Sequence, residues 1–329
     1  MNAVVDIHTH MVCDQWISAL LEHGAPRYSI QPTAGSGPDM IHVDGAPFMT
    51  PLPAMFDYDL RIKNMNKAKV DVAVVSLTCP NVFFGGKEVS ASTARAVNDS
   101  MAAAQRLYPD RIRWFASLPW QYTEEAISEL ARARDLGAVG VITLGNIDGK
   151  SLTDVSFENI WQELDRLRMP VFVHPTAPPG VREMDMVTYN LIPPVGFAFD
   201  TTLAIARCIY DGFFDRHPGI RLIAGHGGGA IPFLVGRLDI CHQKISACAT
   251  RISEPPRNYL RRIYVDTVVY TPDALEMCVR VCGPENVLYG TDYPHNIGDM
   301  IGNLARVDSL PLDTARLLRG GNAVRLLGL

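Results

Sequence analysis

The chain lacks the features that mark several large classes of protein. Its seven cysteines form no CxxC pair, and no cluster of five or more lysines and arginines occurs. Charged or polar residues interrupt every apolar run before it reaches the ~18 residues of a membrane-spanning helix. No basic stretch followed by an apolar one opens the sequence. We therefore expect a cytoplasmic protein with reduced thiols, without membrane attachment and without a nucleic-acid partner.

Motifs for phosphate binding and for nucleophilic serine are also absent. The run Gly227, Gly228, Gly229 belongs to no GxxxxGK[ST] or GxGxxG pattern, and the chain has no GxSxG. A tight loop beside His226 explains these glycines better. What the chain does have is a 47% hydrophobic composition over 329 residues, with 30 basic and 35 acidic side chains. These values indicate a globular protein whose partners are small molecules.

Eight short apolar runs, rich in β-branched residues, alternate with stretches that have helical character. Several are apolar almost throughout, as is typical of parallel strands covered on both faces. Eight strands alternating with helices predict an α/β fold of the (β/α)8 TIM-barrel type, and an open doubly wound sheet is the alternative. The predicted strands are residues 4–8, 70–77, 112–118, 138–144, 170–174, 221–226, 263–269 and 287–292.

We interpret residues 1–329 as one barrel domain, because α/β barrels of ~250 residues or more form single units. Residues 14–58 depart from the pattern, since they are rich in glycine and proline and show little periodicity. They predict an insertion after the first strand, partly a β-hairpin, that covers the site. A second proline-rich excursion spans residues 176–199.

Ionisable residues lie at the ends of four predicted strands. His8 and His10 point to the same side of the first strand because they are two residues apart. His174, His226 and Asp292 close three others. Since the carboxyl ends of barrel strands meet at one face, we expect these five side chains to converge there.

A set of histidines and one aspartate suits a single divalent ion with an open coordination position. Zn²⁺ is favoured, and Mn²⁺ or Fe²⁺ are alternatives, because the donors are borderline in softness and include no thiolate. The fourth strand carries no lysine or glutamate that could bridge two ions. We therefore predict one ion rather than two.

The segments DIHTH, VFVHP, IAGHGGGAIPFLVGRLD and VLYGTDYPH resemble the amidohydrolase superfamily. The similarity is to its branch of decarboxylases typified by aminocarboxymuconate semialdehyde decarboxylase, and it extends to RIKNM and YVDTVV. It implies a metal-dependent (β/α)8 barrel that acts on a small-molecule carboxylate. It also implies the metal ligands His8, His10, His174 and Asp292.

The resemblance further implies that His226 acts on metal-bound water and that Arg237 reaches a carboxylate in the neighbouring site of a homodimer. Without this resemblance, we would interpret Arg237 as a charged residue on the solvent-exposed side of a helix. Either His226 or Asp292 would deliver the proton in a decarboxylation, and the sequence does not choose between them.

Three residues depart from the muconate enzyme. Met49 stands where that enzyme has a substrate-binding arginine, Thr176 replaces a tryptophan, and His295 replaces a phenylalanine. Losing the arginine removes a bidentate carboxylate clamp, so we expect another aromatic or ring-derived acid. Arg237, His295, Thr176 and Tyr189 are the candidate substrate-binding residues.

The sequence therefore predicts a non-oxidative decarboxylase of an aromatic or muconate-type acid, with catalytic roles for His226 and Asp292. The alternatives are a hydrolase or hydratase of the same superfamily, such as a lactonase, and a catalytically silent metal-binding scaffold.

Overall fold

A computed structural model describes residues 3–31 and 39–329. Eight parallel strands follow one another in chain order. The Ile7 N–H donates to the Tyr289 carbonyl at 3.0 Å and links the last strand to the first. The (β/α)8 barrel is confirmed and the open doubly wound sheet is wrong. The barrel strands are Val5–His10, Val72–Ser76, Ile112–Ser117, Gly140–Leu144, Pro170–His174, Arg221–Ala224, Ile263–Asp266 and Val287–Leu288.

Neighbouring residues on each strand pack into two different cores. Ile142 and Phe172 belong to the cluster that fills the barrel, whereas Val141 and Val171 belong to the cluster beneath the outer helices. Side chains alternate across a strand, so a strand buried on both faces needs apolar residues at nearly every position. This explains why the strands could be recognised as continuous apolar runs.

Helices cover the outside of the barrel. The helix that begins at Thr123 has Tyr122 as its N-cap, and the Thr123 hydroxyl donates to the Ser156 carbonyl. The helices are Asp14–His23, Tyr58–Ala68, Gly86–Leu107, Thr123–Asp135, Glu158–Leu167, Phe197–Tyr210, Phe213–Arg216, Ile231–Lys244, Pro256–Leu260, Pro272–Cys282, Met300–Asp308, Leu312–Arg316 and Asn322–Leu327.

The segment after the first barrel strand contains a helix and a small antiparallel sheet. The helix Asp14–His23 was not indicated by the weak periodicity there. The sheet has three strands, Tyr28–Gln31, Met40–Val43 and Ala46–Met49. Residues 32–38 of the predicted insertion lie outside the described residues. A second, two-stranded sheet joins Asn146–Ile147 to Lys150–Ser151.

One helical stretch, Ile192–Tyr210, is long and apolar enough to cross a membrane by length and composition alone, with a mean hydropathy of 1.2. Asp200 and Arg207 interrupt this stretch, as expected of every apolar run in the sequence. The stretch carries the buried Asp200, which accepts hydrogen bonds from Thr176 and Asn146. Helices that pack on the core of a protein can be as long and as apolar as this one, so its length and composition are weak evidence for a membrane span.

Candidate active site

The barrel brings the five predicted strand-end residues together at the carboxyl ends of its strands. The ring centres of His8 and His10 are 5.1 Å apart, and that of His174 lies 4.7 Å from His10. The His226 ring lies 4.8 Å from His8. Asp292 completes the cluster, with Oδ1 at 3.2 Å from His10 Nε2. Residues separated by up to 284 positions thus meet at one face, as predicted.

The donor atoms of this cluster fit a divalent cation. The Nε2 atoms of His8, His10 and His174 and Oδ1 of Asp292 are buried and have no hydrogen-bond partner among the described residues. Buried polar atoms without partners are rare, because desolvation without a new hydrogen bond is costly. Four such atoms facing one another are what a ligand set without its ion would present.

Potential donors outnumber the predicted ligand set. Donor atoms of His8, His174, His226 and Asp292 all lie within 4.8 Å of one another, and the same is true of His10, Asp292 and His295. The geometry therefore allows His226 or His295 to approach an ion as well. Which of these residues bind the ion stays a prediction.

Local contacts favour the neutral, ligating form of two of these histidines. His174 Nδ1 lies 2.7 Å from the Pro175 carbonyl, to which an Nδ1–H would donate, leaving an Nε2 lone pair free. Burial, together with neighbouring histidines, holds the pKa of His174 well below its usual range. Burial likewise lowers the pKa of His10 to about 3, against the opposing effect of Asp292.

Asp292 is ionised at neutral pH despite its burial. Burial alone would raise its pKa, but the adjacent rings of His10, His226 and His8 outweigh this effect and hold the pKa well below its usual range. The residue has a left-handed backbone with φ of 58°. Its N–H donates to the His8 carbonyl at 2.8 Å, which fixes the carboxylate beside the first strand.

Asp266 is a site residue that we did not predict. It is fully buried at the end of the seventh barrel strand, and its Oδ2 lies 2.6 Å from His8 Nδ1. Burial would lower the pKa of His8, but Asp266 and Asp292 outweigh it and raise the pKa to about 10. Asp266 Oδ2 accepts the Nδ1 proton and thereby orients Nε2 toward the other donors; a bound cation would displace the proton that Nε2 carries at this raised pKa. The observed strand ends at Asp266, whereas the predicted strand 263–269 placed this residue in its middle, so the strand-end pattern did not indicate it.

The glycine run after the sixth strand is a left-handed turn that presents His226. His226 and Gly227 have φ values of 55° and 64°, and their N–H groups both donate to Asp266 at 2.9 Å. A Cβ on Gly227 would lie 2.4 Å from Val269 Cγ1, so no larger residue fits. The preference for a tight loop over a phosphate site is consistent with this geometry.

The turn places His226 beside Asp292. His226 Nε2 lies 3.4 Å from Asp292 Oδ2, a distance at which the two groups can share a proton. The opposite ring atom, Nδ1, is buried and has no partner among the described residues. His226 therefore has a second nitrogen available for a group that enters the site.

A cavity of about 290 Å³ opens beside the cluster. Its inner end contains His174, Asp292 and His295, and Phe48 and Phe197 are among its apolar wall residues. The small antiparallel sheet supplies Phe48, so the insertion covers the site as expected. No lysine or arginine lines the cavity among the described residues, and residues 32–38 contain neither type.

The cavity includes two of the predicted substrate-binding residues. His295 lines it, and its Nε2 lies 3.1 Å from the Thr78 hydroxyl. Burial lowers the pKa of His295, which favours a neutral ring. Tyr189 also lines the cavity, but it is 89% exposed and lies at the mouth.

The other two predicted residues do not reach the cavity of their own chain. Thr176 is buried, and its N–H donates to Asp200 at 2.9 Å rather than toward the cavity. Arg237 is exposed on the helix Ile231–Lys244. The structure therefore offers no direct support for Thr176 as a substrate contact, and within one chain it offers none for Arg237.

The family model described as Amidohydrolase matches residues 5–329. The chain belongs to the amidohydrolase family. This amidohydrolase is 32% identical to a 2-amino-3-carboxymuconate-6-semialdehyde decarboxylase of Dictyostelium discoideum, over 99% of this chain and 91% of the relative. It is 30% identical to a gamma-resorcylate decarboxylase of Rhodococcus jostii strain RHA1, over 72% and 77% of the two chains.

Solved structures show the same fold for this amidohydrolase. A 5-carboxyvanillate decarboxylase from Novosphingobium aromaticivorans, solved with manganese and 4-hydroxy-3-methoxy-5-nitrobenzoic acid, aligns with a TM-score of 0.86 at 22% identity. The alignment covers 100% of this chain and 96% of that one. The family resemblance inferred from the sequence motifs is confirmed.

Proposed function

We propose that this amidohydrolase is a metal-dependent, non-oxidative decarboxylase of an aromatic or muconate-type carboxylic acid. The observation that carries the proposal is a cluster of four buried donor atoms, without hydrogen-bond partners among the described residues, beside an apolar-walled cavity that His174 and Asp292 of this cluster line. The related proteins named above are decarboxylases of acids in this class. An ion held beside His174 and Asp292 would attract the carboxylate of a substrate that enters the cavity with this group first.

His8, His10, His174 and Asp292 would hold one divalent ion. Zn²⁺ suits the donor set, and the manganese in the 5-carboxyvanillate enzyme makes Mn²⁺ the second candidate. When bound, the ion acts as a Lewis acid that withdraws electron density from a coordinated substrate oxygen.

His226 and Asp292 would handle the proton. Loss of CO₂ from an unsaturated carbon would leave a carbanion, so protonation of that carbon comes first. His226 donates the proton, the bond to the carboxylate then breaks, and its electron pair returns to the ring as CO₂ leaves. The ionised Asp292, whose Oδ2 lies 3.4 Å from His226 Nε2, stabilises His226 while it carries the proton.

The residues that line the cavity indicate which substituents the substrate carries besides its carboxylate. A substrate carboxylate away from the inner end would find no cation among the described lining residues. His295 and the Thr78 hydroxyl offer uncharged hydrogen-bonding groups instead, 3.1 Å apart. We therefore propose a phenolic hydroxyl or similar neutral substituent near this pair.

Incubation with candidate ring acids in deuterated water tests the reaction. We expect CO₂ release with deuterium on the carbon that lost it. Net addition of water would instead support the rival hydrolase or hydratase, such as a lactonase. A metal-free protein as purified, with no uptake of Zn²⁺ or Mn²⁺, would support the silent scaffold.

His226→Asn tests the proton transfer. Metal content should stay nearly unchanged, because four other donors remain, while turnover should fall by about 10²–10⁴-fold, the usual contribution of a general acid or base. Retained turnover at normal metal content would contradict the role.

We also propose a homodimer in which Arg237 reaches the neighbouring site. No lysine or arginine is among the described residues that line the cavity of one chain. Arg237 lies on a helix with the exposed apolar residues Phe233 and Ile240, a combination typical of an interface. Mixing Arg237→Ala with His226→Asn should restore activity in hybrid dimers, which would contain one site with both residues. No recovery after demonstrated subunit exchange would contradict this.

A cytoplasmic location remains part of the proposal. The seven cysteines are all free thiols, which is typical of proteins in reducing compartments. Fractionation of cells that produce the protein at its native level would test it.

A further inference from the structure

Arg61, on the helix Tyr58–Ala68, is a fully buried cation that the proposed chemistry does not use. It forms no ion pair with a carboxylate in the described part of the chain. Burial lowers the pKa of Arg61, which shows how unfavourable this environment is for the charge. A buried charge without an opposite charge is retained only where other interactions offset its desolvation.

All the hydrogen bonds of the Arg61 side chain go to the end of the first barrel strand. Nη2 donates to the His10 carbonyl, Nη1 donates to Thr9 Oγ1 at 2.6 Å, and Nε points at Met11 Sδ at 2.9 Å. The three partners belong to His10, a proposed metal ligand, and to the residues on either side of it in the chain, Thr9 and Met11. Only a guanidinium offers several donors in one rigid plane, so lysine cannot make the same set.

The same guanidinium lies over the ring of Tyr293, with 4.8 Å between its carbon and the ring centre. Tyr293 follows Asp292, and Asn64 of the same helix donates to its hydroxyl at 2.7 Å. The two segments are also joined directly, because the Thr9 hydroxyl and the His10 N–H both donate to the Tyr293 carbonyl, at 2.9 and 2.7 Å. Arg61 thus contacts both segments that carry His10 and Asp292.

We propose that Arg61 is a positioning residue that holds the first-strand end against the Tyr293 segment. It thereby keeps His10 Nε2 and Asp292 Oδ1 at the spacing that one cation requires, 3.2 Å in this structure. The inference rests on the proposed metal site. Arg61 itself does not line the cavity.

Titration of the metal-free protein with Mn²⁺, following free Mn²⁺ by electron paramagnetic resonance, tests this. Arg61→Met should raise the dissociation constant by about tenfold or more, since residues that orient ligands typically contribute 10–100-fold. The matched control is Arg111→Met, because Arg111 also donates to backbone carbonyls, those of Val70 and Asp71, but at the opposite end of a barrel strand. The control should bind Mn²⁺ like the wild type.

Thermal unfolding of the metal-free variants separates positioning from general stability. A lowered midpoint in both arginine variants, with weaker Mn²⁺ binding only in Arg61→Met, supports positioning. Unchanged Mn²⁺ binding by a folded Arg61→Met protein overturns the inference. If the wild type itself binds neither Mn²⁺ nor Zn²⁺, the proposed function fails first, and the two failures are thereby distinguished.

A second pair of variants keeps the test decisive if Arg61→Met does not fold. Tyr293→Leu removes the ring beneath the guanidinium and should weaken Mn²⁺ binding. Tyr293→Phe keeps the ring and loses only the hydrogen bond from Asn64, so it should bind nearly as the wild type does. Equal affinities in wild type and Tyr293→Leu would overturn the inference.

Discussion

Replacing Asp266 by asparagine should weaken both the fold and the metal site. The carboxylate accepts four hydrogen bonds, two on each oxygen. Oδ2 faces His8 Nδ1 at 2.6 Å and the His226 N–H at 2.9 Å. Oδ1 faces the N–H groups of Gly227 and Val268, at 2.9 and 3.0 Å. An amide presents an NH₂ group to one of these pairs, so two donors lose their acceptor whichever way it lies.

The cost follows from the number of bonds lost. Hydrogen bonds to a charged group contribute about 1.5–3 kcal/mol each, so the loss of two should lower the free energy of unfolding by about 3–6 kcal/mol. Asp266 also orients His8, and loss of such a partner weakens metal binding by about 10–100-fold. Both effects should therefore appear in one variant.

Urea unfolding of the metal-free protein and Mn²⁺ titration measure the two effects of Asp266→Asn separately. Asp239→Asn is the matched control. Asp239 is also buried and accepts hydrogen bonds from the N–H and side chain of Arg257, but it lies outside the site. The control should lose stability and keep its metal affinity. Wild-type affinity in Asp266→Asn, with less than about 1 kcal/mol of destabilisation, would refute the orienting role.

Two other measurements follow from the same structure. Burial raises the pKa of Asp200 to about 6 from 3.8, so the native state binds more protons than the unfolded state between these values, and the stability that this group contributes falls as pH rises through that window. Relative to Asp200→Asn, the wild type should lose about 3 kcal/mol between pH 3.5 and pH 7; a constant difference across these pH values would contradict the assignment. Mn²⁺ or Zn²⁺ at 100 times its dissociation constant should stabilise the metal-free protein by about 2.7 kcal/mol, and removal by a chelator should reverse the shift. No shift in the unfolding midpoint with either ion would argue against a metal site.

The barrel could be predicted because its strands are buried on both faces. That burial requires apolar residues at successive positions, as in Val171, Phe172 and Val173, and leaves a clear trace in the sequence. The helix Asp14–His23 left no such trace, since only Trp16 and Leu20 of its residues are buried. Helices held by so few contacts have a weak periodic signal.

The rule that polar groups gather at the carboxyl ends of barrel strands predicted the convergence of the five residues, but it missed Asp266, because the predicted strand 263–269 extends three residues beyond it. The left-handed conformation of His226 was not predictable. It depends on two consecutive N–H groups, those of His226 and Gly227, donating to Asp266, which lies on the next barrel strand and far along the sequence. The buried contacts of Arg61 likewise depend on how a helix packs across two strand ends, which local sequence does not encode.

The small antiparallel sheet forms part of the cavity wall but contributes none of the proposed ion-binding residues. Phe48 and Met49, which form part of the cavity wall, come from this sheet, whereas the groups proposed to bind the ion lie at the carboxyl ends of the barrel strands. We expect that exchanging the sheet for that of a relative would change which acids fit the cavity and would leave His226 and Asp292 in place. The part of the cavity wall that the sheet forms can therefore vary within the family without any change in the residues at the strand ends.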